Sequence, residues 1–200
     1  LSLGGDTGAI VRPGQFVNIQ VEGCFLRRPL SVCDWDGEGL TVAYRIVGRG
    51  TELLSKMKNG SLDVLTGLGN GFDTSLSGDR PLLIGGGMGF TPLYALAKFL
   101  IKEGKKVRVI LGFVSKEQAV YVDEFRTLGC EVTVCTEDGS LGIKGYVTKA
   151  MEGMSYSHFY TCGPEAMFKA VSDCSVTSGQ FSFEQRMGCG FGACMGCSCE

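Results

Sequence analysis

Leu82-Leu83-Ile84-Gly85-Gly86-Gly87-Met88-Gly89-Phe90-Thr91-Pro92 holds a short apolar run, a cluster of glycines and a proline-led entry into a helical pattern. The apolar run reads as a buried strand. Residues 91–103 have helical spacing, with Thr91 as N-cap and Pro92 at the first helical position. Glycines between a strand and a helix let backbone N–H groups and the helix N-terminus face a pyrophosphate. The run does not complete G-x-G-x-x-G, because position 90 is Phe. The next strand ends Leu111-Gly112-Phe113-Val114-Ser115-Lys116 and supplies no acidic residue. A standard Rossmann dinucleotide site is therefore disfavoured. Taken alone, the run fits a ligand-free tight turn equally well.

Downstream, strand-like and helix-like segments alternate: strand 107–113, helix 117–128, strand 131–135, short helix 145–152, strand 158–161 and helix 164–172. Such alternation implies right-handed crossovers and a parallel sheet. Cys162-Gly163-Pro164-Glu165 follows the last strand and opens a helix, so it falls at the same sheet edge as the glycine run. Ligands of such sheets bind at that edge. Cys162 by itself reads as a buried thiol, and it gains weight beside the glycine run. His158, in an apolar strand, reads as structural.

Upstream, Ser77-Gly78-Asp79-Arg80-Pro81 supplies turn chemistry and a boundary. The first 78 residues read as short strands joined by Gly-rich turns. Residues 15–21 alternate with period two, 40–47 are rich in strand formers, and one helix is expected at 52–58. This half reads as a small antiparallel barrel. Arg27-Arg28-Pro29-Leu30-Ser31 and Tyr44-Arg45-Ile46-Val47-Gly48-Arg49-Gly50-Thr51 put cations and small donors on neighbouring strands. Arg suits bidentate phosphate contact, and Gly50 and Thr51 offer N–H and hydroxyl donors. Without a ligand the same residues are ordinary solvated strand ends.

Of 10 Cys, six are scattered and four (Cys189, Cys194, Cys197, Cys199) fall in the last twelve residues. A secreted disulfide scaffold would spread its cysteines as a framework, whereas a tight cluster in a cytosolic chain points to metal. Cys189, Cys194 and Cys197 have the C-x4-C-x2-C spacing of plant-type 2Fe–2S proteins. Glycines at 190, 192 and 196 let the backbone wrap so that N–H groups point at sulfur. A Rieske centre needs two His, and the chain has 1. A four-Cys zinc site would have to use Cys199, a poor chelate partner for Cys197. A 2Fe–2S cluster of this spacing needs a more distant fourth Cys, so either that ligand follows Glu200, the favoured reading, or no cluster is assembled on this chain.

Composition sets the outer bounds. With 31 Gly the chain holds about twice the usual share, yet no Gly-X-Y period runs through it. Hydrophobic content of 44% against 20% charged excludes a self-repelling disordered chain. A net charge of −2 leaves no basic footprint for nucleic acid. The longest apolar stretch, at 92–101, is interrupted by Lys98 and falls short of the ~20 residues that span a bilayer. No membrane association is expected, and the chain reads as cytoplasmic.

The barrel with R-P-L-S and Y-R…G-T, the sheet domain with G-G-G-M-G-F-T-P and C-G-P-E, and the terminal C-G-F-G-A-C-M-G-C together resemble the ferredoxin-reductase superfamily. Within it, the chain is similar to the electron-transfer subunits of class 1B dihydroorotate dehydrogenases. The resemblance covers essentially the whole length. It implies an antiparallel FAD-binding β-barrel (1–78), a parallel-sheet α/β NAD-binding domain (79–178) and a 2Fe–2S segment (179–200). FAD contacts are implied for Arg28, Pro29, Leu30, Ser31, Ala43, Tyr44, Arg45, Gly50 and Thr51. NAD contacts are implied for Gly86, Gly87, Gly89, Thr91 and Pro92, with Gly89 and Cys162, Gly163, Pro164 and Glu165 toward the nicotinamide. Cys189, Cys194 and Cys197 match three cluster ligands, and no side chain is assigned a catalytic role.

The implied partner is an FMN-containing dihydroorotate dehydrogenase catalytic subunit in a heterotetramer. The implied electron path runs from dihydroorotate through partner FMN, 2Fe–2S and FAD to NAD, in pyrimidine biosynthesis. In register with this family, a first barrel strand precedes Leu1 and the fourth ligand follows Glu200, so both ends read as trimmed. Two alternatives stay open: the small subunit of another flavin and iron–sulfur NAD(P)H–ferredoxin oxidoreductase, and a zinc-stabilised nucleotide-binding module without redox chemistry. Ser115 and Lys116 suit either ribose, so NAD and NADP are not separated.

Overall fold

The computed structural model describes residues 1–196, so Cys197 and Cys199 lie outside the described residues. The chain divides into two compact units. One is Leu1–Gly71 together with the segment that starts at Gln185, and the other is Phe72–Glu184.

In the first unit, β1 (Ser2–Gly4), β2 (Phe16–Ile19), β3 (Arg28–Trp35), β4 (Gly39–Val42) and β5 (Val64–Leu68) form an antiparallel sheet. Its order is β1-β4-β3-β2-β5, an antiparallel half-barrel sheet where the sequence reading expected a small antiparallel barrel. Val17 and Ile19 of β2, Val32 of β3 and Val42 of β4 pack with Leu54 of α1 (Arg49–Lys56) as the core. Each such side chain contributes about 1.5–3 kcal/mol when fully buried. Because strand side chains alternate, Phe16 and Asn18 fall on the opposite face of β2 from this core.

Two expectations are corrected here. The strand does not continue through 43–47, since β4 ends at Val42, and the helix begins at Arg49 instead of 52. Thr51 explains both changes. Its hydroxyl oxygen accepts the N–H of Val47 (3.0 Å) and of Gly48 (3.3 Å) and donates to the Gly48 carbonyl (3.0 Å). Those bonds bend 47–48 into a helix start and satisfy N–H groups that a strand would have paired.

The second unit is a six-stranded parallel sheet of β6 (Leu82–Gly86), β7 (Arg108–Phe113), β8 (Glu131–Thr136), β9 (Ile143–Lys144), β10 (Phe159–Cys162) and β11 (Gly179–Ser182). Its order is β11-β10-β6-β7-β8-β9, with α2 (Thr91–Lys102), α3 (Val122–Thr127), α4 (Val147–Met151) and α5 (Glu165–Cys174) in the crossovers. The chain moves outward from β6 to β9, then returns to lay β10 on the other side of β6. That reversal is the switch point at which open α/β sheets bind ligands. The core beneath it gathers Leu82, Ile84, Ile110, Val147, Phe159 and Val171.

Local details differ from the sequence expectation. Phe90, not Thr91, occupies the cap of α2, because Gly87–Phe90 closes a 3₁₀ turn first and moves Thr91 and Pro92 into the first helical turn. The helix expected at 117–128 is a 3₁₀ turn at Lys116–Gln118 followed by α3. Tyr121 separates them at φ 63°, a left-handed conformation that ends any continuous helix. Gly179–Ser182, the last strand among the described residues, is an element that periodicity did not mark, because all its residues are half-buried and none alternates.

His158 is buried, and its environment fixes its tautomer. The Gln180 amide is pinned by Asp73, whose N–H donates to Oε1 (2.9 Å) and whose carbonyl accepts from Nε2 (2.8 Å). Gln180 Nε2 therefore donates to His158 Nε2 (3.3 Å), which leaves His158 Nδ1–H to donate to Ser178 Oγ (3.0 Å). Burial lowers the imidazole pKa, and the Asp73 carboxylate opposes it. The unfolded chain thus binds a proton that the folded one resists. This stability is fully present above about pH 6.5 and is lost as pH falls through the folded pKa. Thermal melts between about pH 7.5 and 5 should show a steeper acid loss in the wild type than in His158→Gln. Equal slopes would remove His158 as the titrating group.

Candidate functional site

At the switch point, β6 and β10 run side by side with Gly85 opposite Cys162, so the two loops singled out in the sequence meet. A Cβ on Gly89 would fall 2.0 Å from the Cys162 carbonyl oxygen, and only glycine permits that approach. Gly86 and Gly163 are filled the same way by Pro164 and Met167. Gly87 differs: at φ +56° it has open space beyond it, so its backbone faces outward beside the start of α2. Thr91 and Pro92 are buried. Phe90, which broke the dinucleotide fingerprint, is buried and stacks on Tyr121 with ring centroids 4.6 Å apart. Pro164 and Glu165 are exposed at the start of α5.

Cys162 is fully buried, and its Sγ lies 3.9 Å from Oε1 of Glu184. Burial first, and the Glu184 charge second, push this thiol up to about 12. Sequence reasoning missed Glu184, because the strand β11 that delivers it has no periodic signal. Cys162 therefore holds its proton at neutral pH. Alkylation by iodoacetamide at pH 7 should leave Cys162 and Cys130, also pushed to about 12 by burial, unmodified in the native protein. Mass spectrometry of the labelled peptides checks this, and rapid native labelling of Cys162 would contradict it.

In the first unit, the two cationic stretches converge on the start of α1. A Cβ on Gly50 would fall 1.9 Å from Arg28 Nε, so the Arg28 side chain lies directly on the Gly50 backbone. Arg28 Nη1 donates to the carbonyls of Leu26 (2.9 Å) and Arg27 (3.2 Å), which holds the guanidinium there. The first N–H groups of a helix lack intrahelical partners, so Arg28 and the N-terminus of α1 together could hold an anion. Arg27 is committed elsewhere, in a bidentate pair with Asp63 (2.6 and 3.1 Å) that draws the Asp63 carboxyl down. Pro29, Leu30 and Ser31 continue along β3, and Ala43, Tyr44 and Arg45 follow β4, its direct neighbour in the sheet. The structure brings all nine barrel residues into one region.

The cysteine loop belongs to the same unit. Backbone N–H groups of Cys194, Phe191 and Ala193 are directed at the Cys189 thiol and help draw it down to about 6. Cys194 Sγ is 3.6 Å from where a Cβ would stand on either Gly188 or Gly196. N–H groups aimed at a thiolate are the surroundings that a metal-bound sulfur requires. Among the described residues no three His, Cys, Asp or Glu side chains gather as a metal site. Cys197, the third residue of the spacing, lies outside that set. No described helix is long and apolar enough to cross a membrane.

The family model for the oxidoreductase NAD-binding domain matches residues 83–173. Two relatives named dihydroorotate dehydrogenase B (NAD(+)), electron transfer subunit, are similar over 94% of this chain. One, from Fusobacterium nucleatum, is 45% identical and covered over 78% of its length. The other, from Geobacillus sp. (strain WCH70), is 46% identical and covered over 77%. Among solved structures, an NADH-dependent reduced ferredoxin-NADP oxidoreductase superposes with a TM-score of 0.81 at 30% identity, covering 96% of this chain and 72% of the other. Phthalate dioxygenase reductase, at 19% identity and a TM-score of 0.69 over 93% of this chain and 64% of its own, shares the fold. The glycine and Cys162 loops at the switch point and the Arg28 cradle thus lie in a chain that belongs to the family of dihydroorotate dehydrogenase B (NAD(+)) electron-transfer subunits.

Proposed function

We propose that this chain carries electrons between a dihydroorotate dehydrogenase catalytic subunit and NAD, in pyrimidine biosynthesis. The observation that carries the proposal is that the Arg28–Gly50 anion cradle and the Cys189 thiol cradle belong to one compact unit. Two redox groups held by one unit keep a fixed separation, as electron transfer between them requires. In domain terms, the expected bounds of 1–78, 79–178 and 179–200 move to those of the compact units: Leu1–Gly71 binds FAD, Phe72–Glu184 with β11 binds NAD, and the segment that starts at Gln185 carries the cluster ligands.

Each residue then has a task. Arg28 and the Gly50 and Thr51 end of α1 take the FAD pyrophosphate, while Pro29, Leu30, Ser31, Ala43, Tyr44 and Arg45 line the rest of the flavin. Gly86, Gly87, Gly89, Thr91 and Pro92 shape the NAD loop, and Cys162, Gly163, Pro164 and Glu165 its nicotinamide end. Neutral Cys162 presents no charge to a nicotinamide, and Glu184 adds a carboxyl beside it. Cys189, Cys194 and Cys197 hold the 2Fe–2S cluster. When bound, FAD exchanges a hydride with nicotinamide and single electrons with the cluster, so it couples two-electron to one-electron chemistry. Phe25, Ile46 and Val47 are solvent-facing apolar side chains in the loops that flank the FAD stretches, suited to a ring or a partner surface. The partner is the FMN-containing catalytic subunit in a cytoplasmic heterotetramer.

Iron, sulfide and flavin analysis of the full-length chain co-expressed with its partner tests this directly. Flavin peaks over broad iron–sulfur absorbance are expected, with iron and sulfide in equal amount. A colourless protein containing zinc would refute it.

A further inference from the structure

Asn18 is a polar residue in the middle of β2, 3% exposed, on the face opposite the barrel core. What covers it is the cysteine loop. Its Nδ2 donates to the carbonyl of Cys189 at 3.3 Å, across a sequence separation of 171 residues. The loop comes so close that a Cβ on Gly190 would fall 2.8 Å from Asn18 Nδ2 and 3.7 Å from the Phe16 ring. Gly190 also has φ +78°, a left-handed conformation that a side chain would strain. Two independent features of residue 190 thus demand glycine at the point where the loop meets Asn18.

Asn18 looks two ways. Its cross-strand partner in the β2–β3 register is Pro29, within the stretch read as FAD-binding. Its side chain, on the other hand, holds the backbone of the first cysteine in the C-x4-C-x2-C spacing. Asn18 Oδ1 is buried without a hydrogen-bond partner among the described residues, which is costly for a group that could be apolar if only packing were at stake. A leucine would fill similar space and leave no orphan oxygen. Retaining the carboxamide makes sense through the bond its Nδ2 makes to the loop.

We infer that Asn18 is a positioning residue that latches the cysteine loop onto β2, across from Pro29 of the stretch read as FAD-binding, and so fixes the cluster relative to FAD. The inference rests on reading Cys189, Cys194 and Cys197 as cluster ligands. Asn18 touches neither group itself; it acts through the Cys189 backbone. Partners one step removed from a metal ligand orient that ligand, and their loss typically weakens metal binding about 10–100-fold.

The test compares wild type, Asn18→Leu and Gly190→Ala in the full-length chain within its complex. Gly190→Ala attacks the contact from the loop and leaves β2 intact, so it serves if Asn18→Leu folds poorly. Expected results are unchanged flavin content, iron loss to an anaerobic chelator about tenfold faster in both variants, and altered electron paramagnetic resonance of the reduced cluster. Amide hydrogen exchange across 189–194 should also accelerate, with or without iron. A merely structural role for Asn18 would alter the melting temperature without moving the resonance signature. Iron-loaded variants with wild-type iron loss, resonance and exchange would overturn the latch alone. A wild type that takes up no iron would overturn the cluster reading and the latch with it.

Discussion

Cys194→Ser is expected to lower dihydroorotate-driven NAD+ reduction by the complex at least about 100-fold, while FAD stays bound. Under the proposed function Cys194 is a direct cluster ligand; loss of a partner one step from a metal already costs about 10–100-fold, and removal of a direct ligand costs no less. Cys194 is exposed in the loop, so the change to Ser leaves no buried cavity. The Arg28–Gly50 cradle is made by other residues of the unit and remains intact. NADH oxidation with an artificial acceptor needs only the flavin and NAD sites, and it should persist in the variant. Iron content, flavin content and the two activities are measured side by side. Normal coupled turnover in Cys194→Ser would exclude the cysteine loop from the electron path.

Gly50→Val is expected to weaken FAD binding roughly 10–100-fold, the consequence of losing about 1.5–3 kcal/mol from one charge-assisted contact. The new Cβ would stand 1.9 Å from Arg28 Nε and 2.8 Å from its Cζ, so the guanidinium has to leave the start of α1. Arg28→Lys keeps the positive charge but loses the planar fork, and a smaller loss of about tenfold is expected there. Flavin retained through gel filtration, and fluorescence titration of the stripped protein, provide the measurement. Wild-type affinity in Gly50→Val would show that Arg28 is not a phosphate ligand.

Much of the fold was legible because it is written in local patterns. Leu82-Leu83-Ile84 followed by glycines and Thr91-Pro92 marks a strand, turn and helix that the structure contains, and the repetition to 172 implies the parallel sheet. The elements that escaped are those set by distant partners. Gly179–Ser182 is a strand because β10 lies beside it, not because its residues alternate. Tyr121 interrupts a helical-looking stretch, in contact with the Phe90 and Tyr94 rings. At the sites, the glycine and cysteine spacings were visible, as was the nearness of the Arg28 and Gly50–Thr51 stretches, although Gly50 and Thr51 were expected on a strand and stand in α1. Glu184 and Asn18 were not, since each acquires its meaning from a neighbour reached only through the folded chain: Cys162 for the first, Cys189 for the second.

The most direct measurement is anaerobic NAD+ reduction driven by dihydroorotate, using the catalytic partner with and without this chain. NADH should form only when both are present, and the partner alone should reduce an artificial acceptor but not NAD+. NADH formation by the partner alone at the same rate, or none by the complex, would contradict the assignment of this chain as the electron carrier.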